Sequence, residues 1–485
     1  MKKNDNNTVI SATKWSAVTE LAARLIGPIS TIALARILTP EAFGVLVTAQ
    51  MVISFAEIFT DAGFQKYIIQ HAFKDNDTLY KSTTVAFWSN LIFSLIVWAG
   101  ICIFSTQLAH LVGNDGYGIV IAVSCICIPL AAFSSIQMAL FKRKLDFKTL
   151  FLVRLIGIMI PLFVTIPLAF LTRSYWSLII GMIALNISNA IVLMCKSPWK
   201  PKWFYDISVF KEMFSFSMWS MVEAISIWLT GYLDIFIIGT VLDTYYMGVY
   251  RTAITTVGQI MGIITAATTP VLFSALSRLQ DDDEEFKRLF FKFQKMVGLL
   301  VIPLGVGIYM FKDLITNVLL GDQWGDASFL IGCWGLTSAI TIVLSHYCSE
   351  IYRAKGKPKY SVLAQLIHIC FLVPTVLWSV KYGFESLCLW RSLVRFSAIG
   401  INLCLIYKLI RITPYEMMVN ISHVCIASLI MFLVYLLLPY TESIVLQFMW
   451  ILLCTIVYFI ILSYFRQERD ILLNLRINLI KNKNK

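Results

Sequence analysis

Runs of 18 or more apolar residues recur along almost the whole length of this chain, and that recurrence constrains its fold more than any other feature. A run of that length crosses the ~30 Å hydrocarbon core of a bilayer as an α-helix. Between polar breaks the runs fall near 10–36, 43–65, 83–105, 117–141, 150–171, 175–195, 213–240, 246–272, 294–311, 328–352, 360–380, 384–407, 418–438 and 444–465. An all-α integral membrane protein of about 14 transmembrane helices is therefore expected. With 485 residues the chain has no room for a large soluble domain as well. Composition agrees: 58% of residues are hydrophobic and 14% charged, whereas soluble domains carry ~25% charged residues. The longest polar connection expected runs from about Ser274 to Lys295. Met1–Asn7 is polar and the next apolar stretch is of full spanning length, so no cleavable signal is expected.

Lysine and arginine set the orientation. With the N-terminus in the cytoplasm, alternating loops and tails place 31 of the 40 basic residues on the cytoplasmic side. Arg36, Arg173, Lys312 and Lys381 are then the four on the other side, and five arginines lie within spans. Both termini are expected in the cytoplasm. The net charge of +12 is spread over many loops, so it reads as a topology signal and not as a nucleic-acid footprint.

A shift of 204 residues aligns Trp15–Ala49 with Trp219–Ala253. Ten of 35 positions are identical without a gap, among them Gly27/Gly231, Leu38/Leu242 and Gly44/Gly248. Six helices separate the copies, an even number, so both insert in the same direction. The expectation is two six-helix lobes related by a parallel pseudo-two-fold, the design of a rocking transporter with its site near mid-membrane. The lobes are placed at residues 1–195 and 213–410, with a cytoplasmic linker at 196–212. Two further helices occupy 411–465, and a basic tail 466–485.

An ionisable group at mid-bilayer costs ~2.5–3.5 kcal/mol on insertion scales, so each needs a reason. The first span carries Glu20 and Arg24 at i,i+4. The second carries Glu57 and Asp61, the seventh Glu223 and Asp234, the eighth Arg251, and the twelfth Arg391 and Arg395. Arg24, Arg251, Arg391 and Arg395 are the candidates for binding an anionic head group, since guanidinium stays charged and grips phosphate in a bidentate fashion. Structural neutralisation, or snorkelling to the interface, is the competing reading. Glu20, Glu57, Asp61, Glu223 and Asp234 either couple a cation or balance the arginines. Arg154, beside the basic loop Lys142–Lys148, reads as a snorkelling residue. His346 and His368 read as packed side chains. Eleven scattered cysteines, none in C-x-x-C spacing, read as small buried hydrophobes and not metal ligands. No G-x-x-x-x-G-K-[ST], G-x-S-x-G or H-E-x-x-H occurs, which argues against a built-in ATPase and against the common hydrolases. No catalytic residue, metal or cofactor is expected.

Several segments carry a family resemblance: Lys14–Ala17 (KWSA), Leu34–Leu46 (LARILTPEAFGVL), Thr60–Gln70 (TDAGFQKYIIQ), Phe141–Phe147 (FKRKLDF), Val271–Asp282 (VLFSALSRLQDD) and Leu319–Trp324 (LLGDQW). In this order, over residues 14–324, they resemble the polysaccharide transporters of the MOP superfamily. The pattern is similar to the Wzx-type flippases of lipid-linked oligosaccharides, in particular colanic-acid-exporter-like members. The resemblance implies two lobes around a cavity plus helices 13 and 14. It also implies an undecaprenyl-pyrophosphate-linked glycan moved across the bacterial cytoplasmic (inner) membrane for O-antigen, capsule or exopolysaccharide synthesis. Implied partners are membrane lipids and the polysaccharide polymerase and chain-length machinery, with no nucleic acid; Na+ or H+ is left open as coupling ion. In related flippases arginines on helices 1 and 8 face the cavity, and Arg24 and Arg251 occupy comparable places. The alternatives are a cation-coupled multidrug exporter of the same superfamily, with a cavity lined by acids and aromatics, and a membrane polysaccharide polymerase or ligase.

Overall fold

The computed structural model describes residues 23, 26–61, 63–466, 468 and 469, with backbone alone at 61, 215–220, 222 and 223. Among the described residues all regular structure is helical. Among the described residues thirteen helices are long and apolar enough to cross a membrane, and a shorter apolar helix spans Ile26–Ile37. The chain divides into two compact units, Met1–Arg251 and Thr252–Lys485.

The first unit holds α1 (Ile26–Ile37), α2 (Pro40–Asp61), α3 (Asn76–Ile103), α4 (Gly118–Arg143), α5 (Phe147–Thr172), α6 (Trp176–Lys196), α7 (Ile207–Val241) and the opening turns of α8 (Thr244–Ser277). α3 and α7 begin well before their apolar runs. Acidic caps explain this: Asp75 accepts the Thr78 amide at 2.7 Å, and Asp206 accepts the Ser208 amide at 2.8 Å. Each cap satisfies amides that the first helical turn leaves without partners. Those amides and the neighbouring hydroxyl hold both carboxyls below the usual carboxylate range. Prolines interrupt two spans. α4 breaks into a turn at Cys125–Ile126, just ahead of Pro129, and α5 widens into a π-helical turn at Pro161–Thr165. Both follow from the missing proline N–H.

An aromatic-rich core built on Phe64, Tyr67, Phe87, Ile136 and Trp199 closes the loop end of this unit. Arg143, from the basic loop, is committed there: Nη1 donates to the Ile68 and His71 carbonyls at 2.8 Å each, and the guanidinium lies 4.8 Å from the Phe73 ring centre.

At the opposite end α2 and α8 cross at backbone contact. A Cβ on Gly44 would run into the Thr244 carbonyl, and one on Gly248 into the Pro40 carbonyl and, at 2.8 Å, the Gly44 nitrogen. These contacts are reciprocal, because Pro40/Thr244 and Gly44/Gly248 are both pairs 204 positions apart. Gly113, held at φ 74°, meets the Gly239 carbonyl in the same way. Asn114 stitches the seam, donating to Thr48 and accepting from Thr244. Thr48 and Asn114 are each 1% exposed.

The second unit continues α8 and adds α9 (Asp283–Met310), α10 (Ala327–Ala354), α11 (Lys359–Tyr382), α12 (Phe384–Ile410), α13 (Pro414–Leu437) and α14 (Ile444–Tyr464). The connection expected over Ser274–Lys295 is short, because α8 runs to Ser277 and α9 starts at Asp283, capped by Asp282. Hydropathy reports only the part of a helix that sits in hydrocarbon; charged turns prolong it into water. α9 and α10 pack through small residues, a Cβ on Gly305 meeting the Gly335 carbonyl at 3.0 Å, as close helix pairs in lipid do. Polar side chains join the other helices: Asn420 to Gln294 at 2.9 Å and Tyr458 to the Leu299 carbonyl at 2.8 Å. Just past α14, Glu468 is wholly buried, paired with Lys295 at 3.2 Å and His423 at 3.0 Å.

Large apolar side chains such as Phe163, Leu171 and Leu437 stand more than 70% exposed. Such surfaces belong in lipid, and the protein is a multi-pass membrane protein. The cysteines are all free thiols; six are buried, but Cys102, Cys195, Cys370 and Cys404 lie on exposed faces. An apolar solvent removes the usual reason to bury a thiol.

Candidate functional site

Nine intramembrane charges stand out in the sequence, and the structure describes five of their side chains. Glu20 and Arg24 lie outside the described residues, and Asp61 and Glu223 are described by backbone only. Glu57, Asp234 and Arg251 belong to the first unit, Arg391 and Arg395 to the second.

In the first unit Arg251 ends a line of aromatic rings. Phe59 and Phe55 lie one turn apart on α2, with centroids 5.1 Å apart in an edge-to-face arrangement. Phe55 meets Trp228 of α7 at 4.7 Å, and Trp228 stacks on Tyr232 one turn further along, at 5.7 Å. The Arg251 guanidinium then lies 5.4 Å from the Tyr232 ring centre, a cation–π contact. Trp228 is oriented by its indole N–H, which donates to Ser54 Oγ at 3.1 Å. Phe55 and Phe59 are about 40% exposed, so part of the ladder offers open ring surface. Glu57 sits half-buried between them in sequence.

Asp234 is buried beside this ladder. One carboxylate oxygen accepts the Tyr250 hydroxyl at 2.6 Å and the other its neighbour's amide, Ile235, at 2.9 Å. The bond ties α7 to the opening turns of α8 and so fixes the helix that carries Arg251.

In the second unit Arg391 and Arg395 share one indole. Their guanidinium carbons lie 5.0 and 4.1 Å from the Trp334 ring centre on α10. Arg395 Nη1 also donates to Ser338 Oγ at 2.7 Å. Arg391 is 8% exposed, so this pair points into the unit and not into lipid. His368 packs close by, its Nδ1 2.9 Å from Ser397 Oγ.

Phe55, Phe59, Trp228, Tyr232 and Trp334 carry this geometry, and charge-based reading passes over them. A signal existed for four: Phe55/Phe59 and Trp228/Tyr232 are both spaced i,i+4, which places each pair on one helix face. Among the described residues no three His, Cys, Asp or Glu gather as a metal site would require.

Residues 33–329 match the family described as polysaccharide biosynthesis protein. The chain belongs to that family. A membrane protein from the cps region of Klebsiella pneumoniae is 23% identical over 399 residues, covering 81% of this chain and 79% of that one. The succinoglycan biosynthesis transport protein ExoT of Rhizobium meliloti (strain 1021) is 22% identical over 333 residues, 69% of this chain and 67% of its own. In fold, the chain is similar to the lipid II flippase MurJ in an inward closed conformation, with a TM-score of 0.77 at 16% identity over 95% of this chain and all of that one. This polysaccharide biosynthesis protein therefore shares a transporter fold over nearly its full length, including the last four helices, where its sequence motifs are silent. The family match takes in the ladder and Arg251 and stops short of Arg391 and Arg395.

Proposed function

We propose that this protein translocates an undecaprenyl-pyrophosphate-linked oligosaccharide from the inner to the outer leaflet of the bacterial cytoplasmic membrane. The observation that carries the reading is the aromatic ladder ending in a guanidinium. Sugar rings present C–H faces that stack on aromatic rings, and a pyrophosphate seeks a permanent, bidentate cation. One face of the first unit supplies both, in an order that suits a glycan joined to a phosphate. Family membership and the names of its relatives support the same substrate class. The polyprenyl tail stays in lipid, so the protein handles only the polar head.

The two lobes, 1–195 and 213–410, are read as repeats; the reciprocal Gly44–Thr244 and Gly248–Pro40 contacts are what a two-fold relation between them requires. With both termini cytoplasmic, the seam lies at the outer ends of α2 and α8. It is then the closure that must part for release. Membrane potential, negative inside, favours outward movement of an anion by ~2.3 kcal/mol per charge per 100 mV. Coupling to Na+ or H+ would add to this. Asp234 has both oxygens engaged, which supports a charge-balancing, anchoring role. A multidrug exporter for cations would place acids where this ladder ends in arginine.

The test is translocation of a defined lipid-linked glycan in proteoliposomes. Arg251→Gln is expected to slow it at least tenfold, with Arg251→Lys recovering part of the rate. Wild-type rates in Arg251→Gln would remove the ladder's terminus from the mechanism.

A further inference from the structure

A second cationic feature lies away from the ladder. α1, α4, α5 and α6 line a half-open cavity of about 570 Å³ within the first unit. Two of its walls carry cations: Lys142, on the last turn of α4, and Arg154, two turns into α5. At 1.5 Å per residue Arg154 stands roughly 10 Å deeper than the start of its helix. Ser30 and Thr31 of α1 and Asn189 of α6 add polar groups, and no acidic residue lines the cavity among those described. The carboxylate next in sequence, Asp146, is occupied: it accepts the Thr149 amide at 3.1 Å and hydroxyl at 2.7 Å as the cap of α5.

The walls are shaped for access. At Gly157 a Cβ would press on Leu185 at 2.9 Å, so glycine lets α5 and α6 meet behind the cavity and leaves its volume open. The basic loop divides its labour. Arg143 is spent on carbonyls of Ile68 and His71, in and just past the short helix Phe64–Gln70, whereas Lys142, its neighbour, faces the hollow. Simple snorkelling accounts for Arg154 alone; it does not account for a second cation and three polar groups converging on the same volume, which no described acid lines.

We propose that this cavity is a binding site for a lipid-borne phosphate or pyrophosphate, drawn from the cytoplasmic leaflet. Lys142 contacts the phosphate at the mouth as a mobile point charge, and Arg154 grips it from below with its planar fork. Asn189 donates to a remaining oxygen, and the Ser30 and Thr31 hydroxyls, which otherwise donate to the Ile26 and Gly27 carbonyls, rotate to meet the others. The mouth faces the inner leaflet on the topology given by the basic loops, and that placement makes the site an antechamber to the ladder. This last step rests on the flippase reading; binding itself does not.

Full-length protein in detergent is titrated with three probes by native mass spectrometry: a polyprenyl pyrophosphate, phosphatidylglycerol and inorganic pyrophosphate. Lys142→Gln/Arg154→Gln is expected to weaken the polyprenyl pyrophosphate about tenfold to a hundredfold, the scale of losing charge-assisted bonds to phosphate. Thr31→Trp fills the hollow without touching either cation and is expected to weaken it as well. If phosphatidylglycerol is weakened equally, the site serves anionic lipid phosphate in general; if it is unaffected, the site is selective for the transport substrate. Inorganic pyrophosphate is expected to bind far more weakly than the lipid forms. Unchanged affinity for all three probes in a double variant that melts like wild type overturns the proposal. Binding is read without transport, so failed translocation by the wild type would count against the flippase reading alone.

Discussion

Gly248→Ala is a sharp perturbation, because one methyl is placed where two helices touch through their backbones. The new Cβ would lie 2.8 Å from the Gly44 nitrogen and closer still to the Pro40 carbonyl oxygen. Ordinary van der Waals contact begins near 3.4 Å, and neither neighbour is a side chain that can rotate aside. α2 and α8 must part, at the ~1–3 kcal/mol typical of overpacking. If the closed seam is one of two alternating states, that cost falls on the closed state only. The ratio of open to closed then rises about fivefold to 150-fold. Thr48→Cys, at a position 1% exposed in the seam, reports the opening in a background with the eleven native cysteines replaced. Labelling by a membrane-impermeant maleimide from outside is expected to accelerate by that factor. Gly258→Ala, on the same helix but with nothing within 4 Å of its Cβ, is the control and should leave the rate alone. An unchanged labelling rate together with a lowered melting temperature would refute the reasoning: the methyl would then destabilise the fold as a whole and the seam would be static packing.

Three further outcomes are expected. Trp228→Ala removes the central rung and its bond to Ser54; translocation should fall severalfold, given ~0.5–1.5 kcal/mol per aromatic contact, while a short-glycan substrate loses less than a long one. Lys295→Met leaves the buried Glu468 carboxylate with His423 as its remaining described partner, so thermal stability should drop by the equivalent of roughly 3–5 kcal/mol, and Lys295→Met/Glu468→Leu should restore much of it. Trp334→Leu strips the indole from between Arg391 and Arg395; a desolvated cation–π contact is worth ~2 kcal/mol, and the loss should appear as a lower melting temperature whether or not transport changes.

The helices were legible because lipid demands an unbroken apolar run, and every expected span from the second onward has a helix in its place. Their ends were not. α3, α7 and α9 start with caps at Asp75, Asp206 and Asp282, in water, where hydropathy has nothing to report. Of the site, Arg391 and Arg395 were visible as an i,i+4 pair, yet the Trp334 that holds them is on another helix and nothing in the sequence links the two. The same holds for Phe55 and Trp228, which meet only because α2 and α7 pack together. The glycines of the seam were visible as matching positions in the alignment at a shift of 204; that they touch one another is a property of the fold.

The ladder has one more consequence. Its rings repeat at 4.7–5.7 Å, the two on α2 standing more open than the two on α7. On the proposed reading, a glycan stepping along such a track exchanges one aromatic contact for another, so its free energy changes in small steps. Conduction needs binding that is strong enough to admit and weak enough to release, and on the proposed reading a succession of modest aromatic contacts serves both demands. Turnover would then be insensitive to which sugar occupies which rung, and a cargo could be lengthened or redecorated without redesign of its carrier.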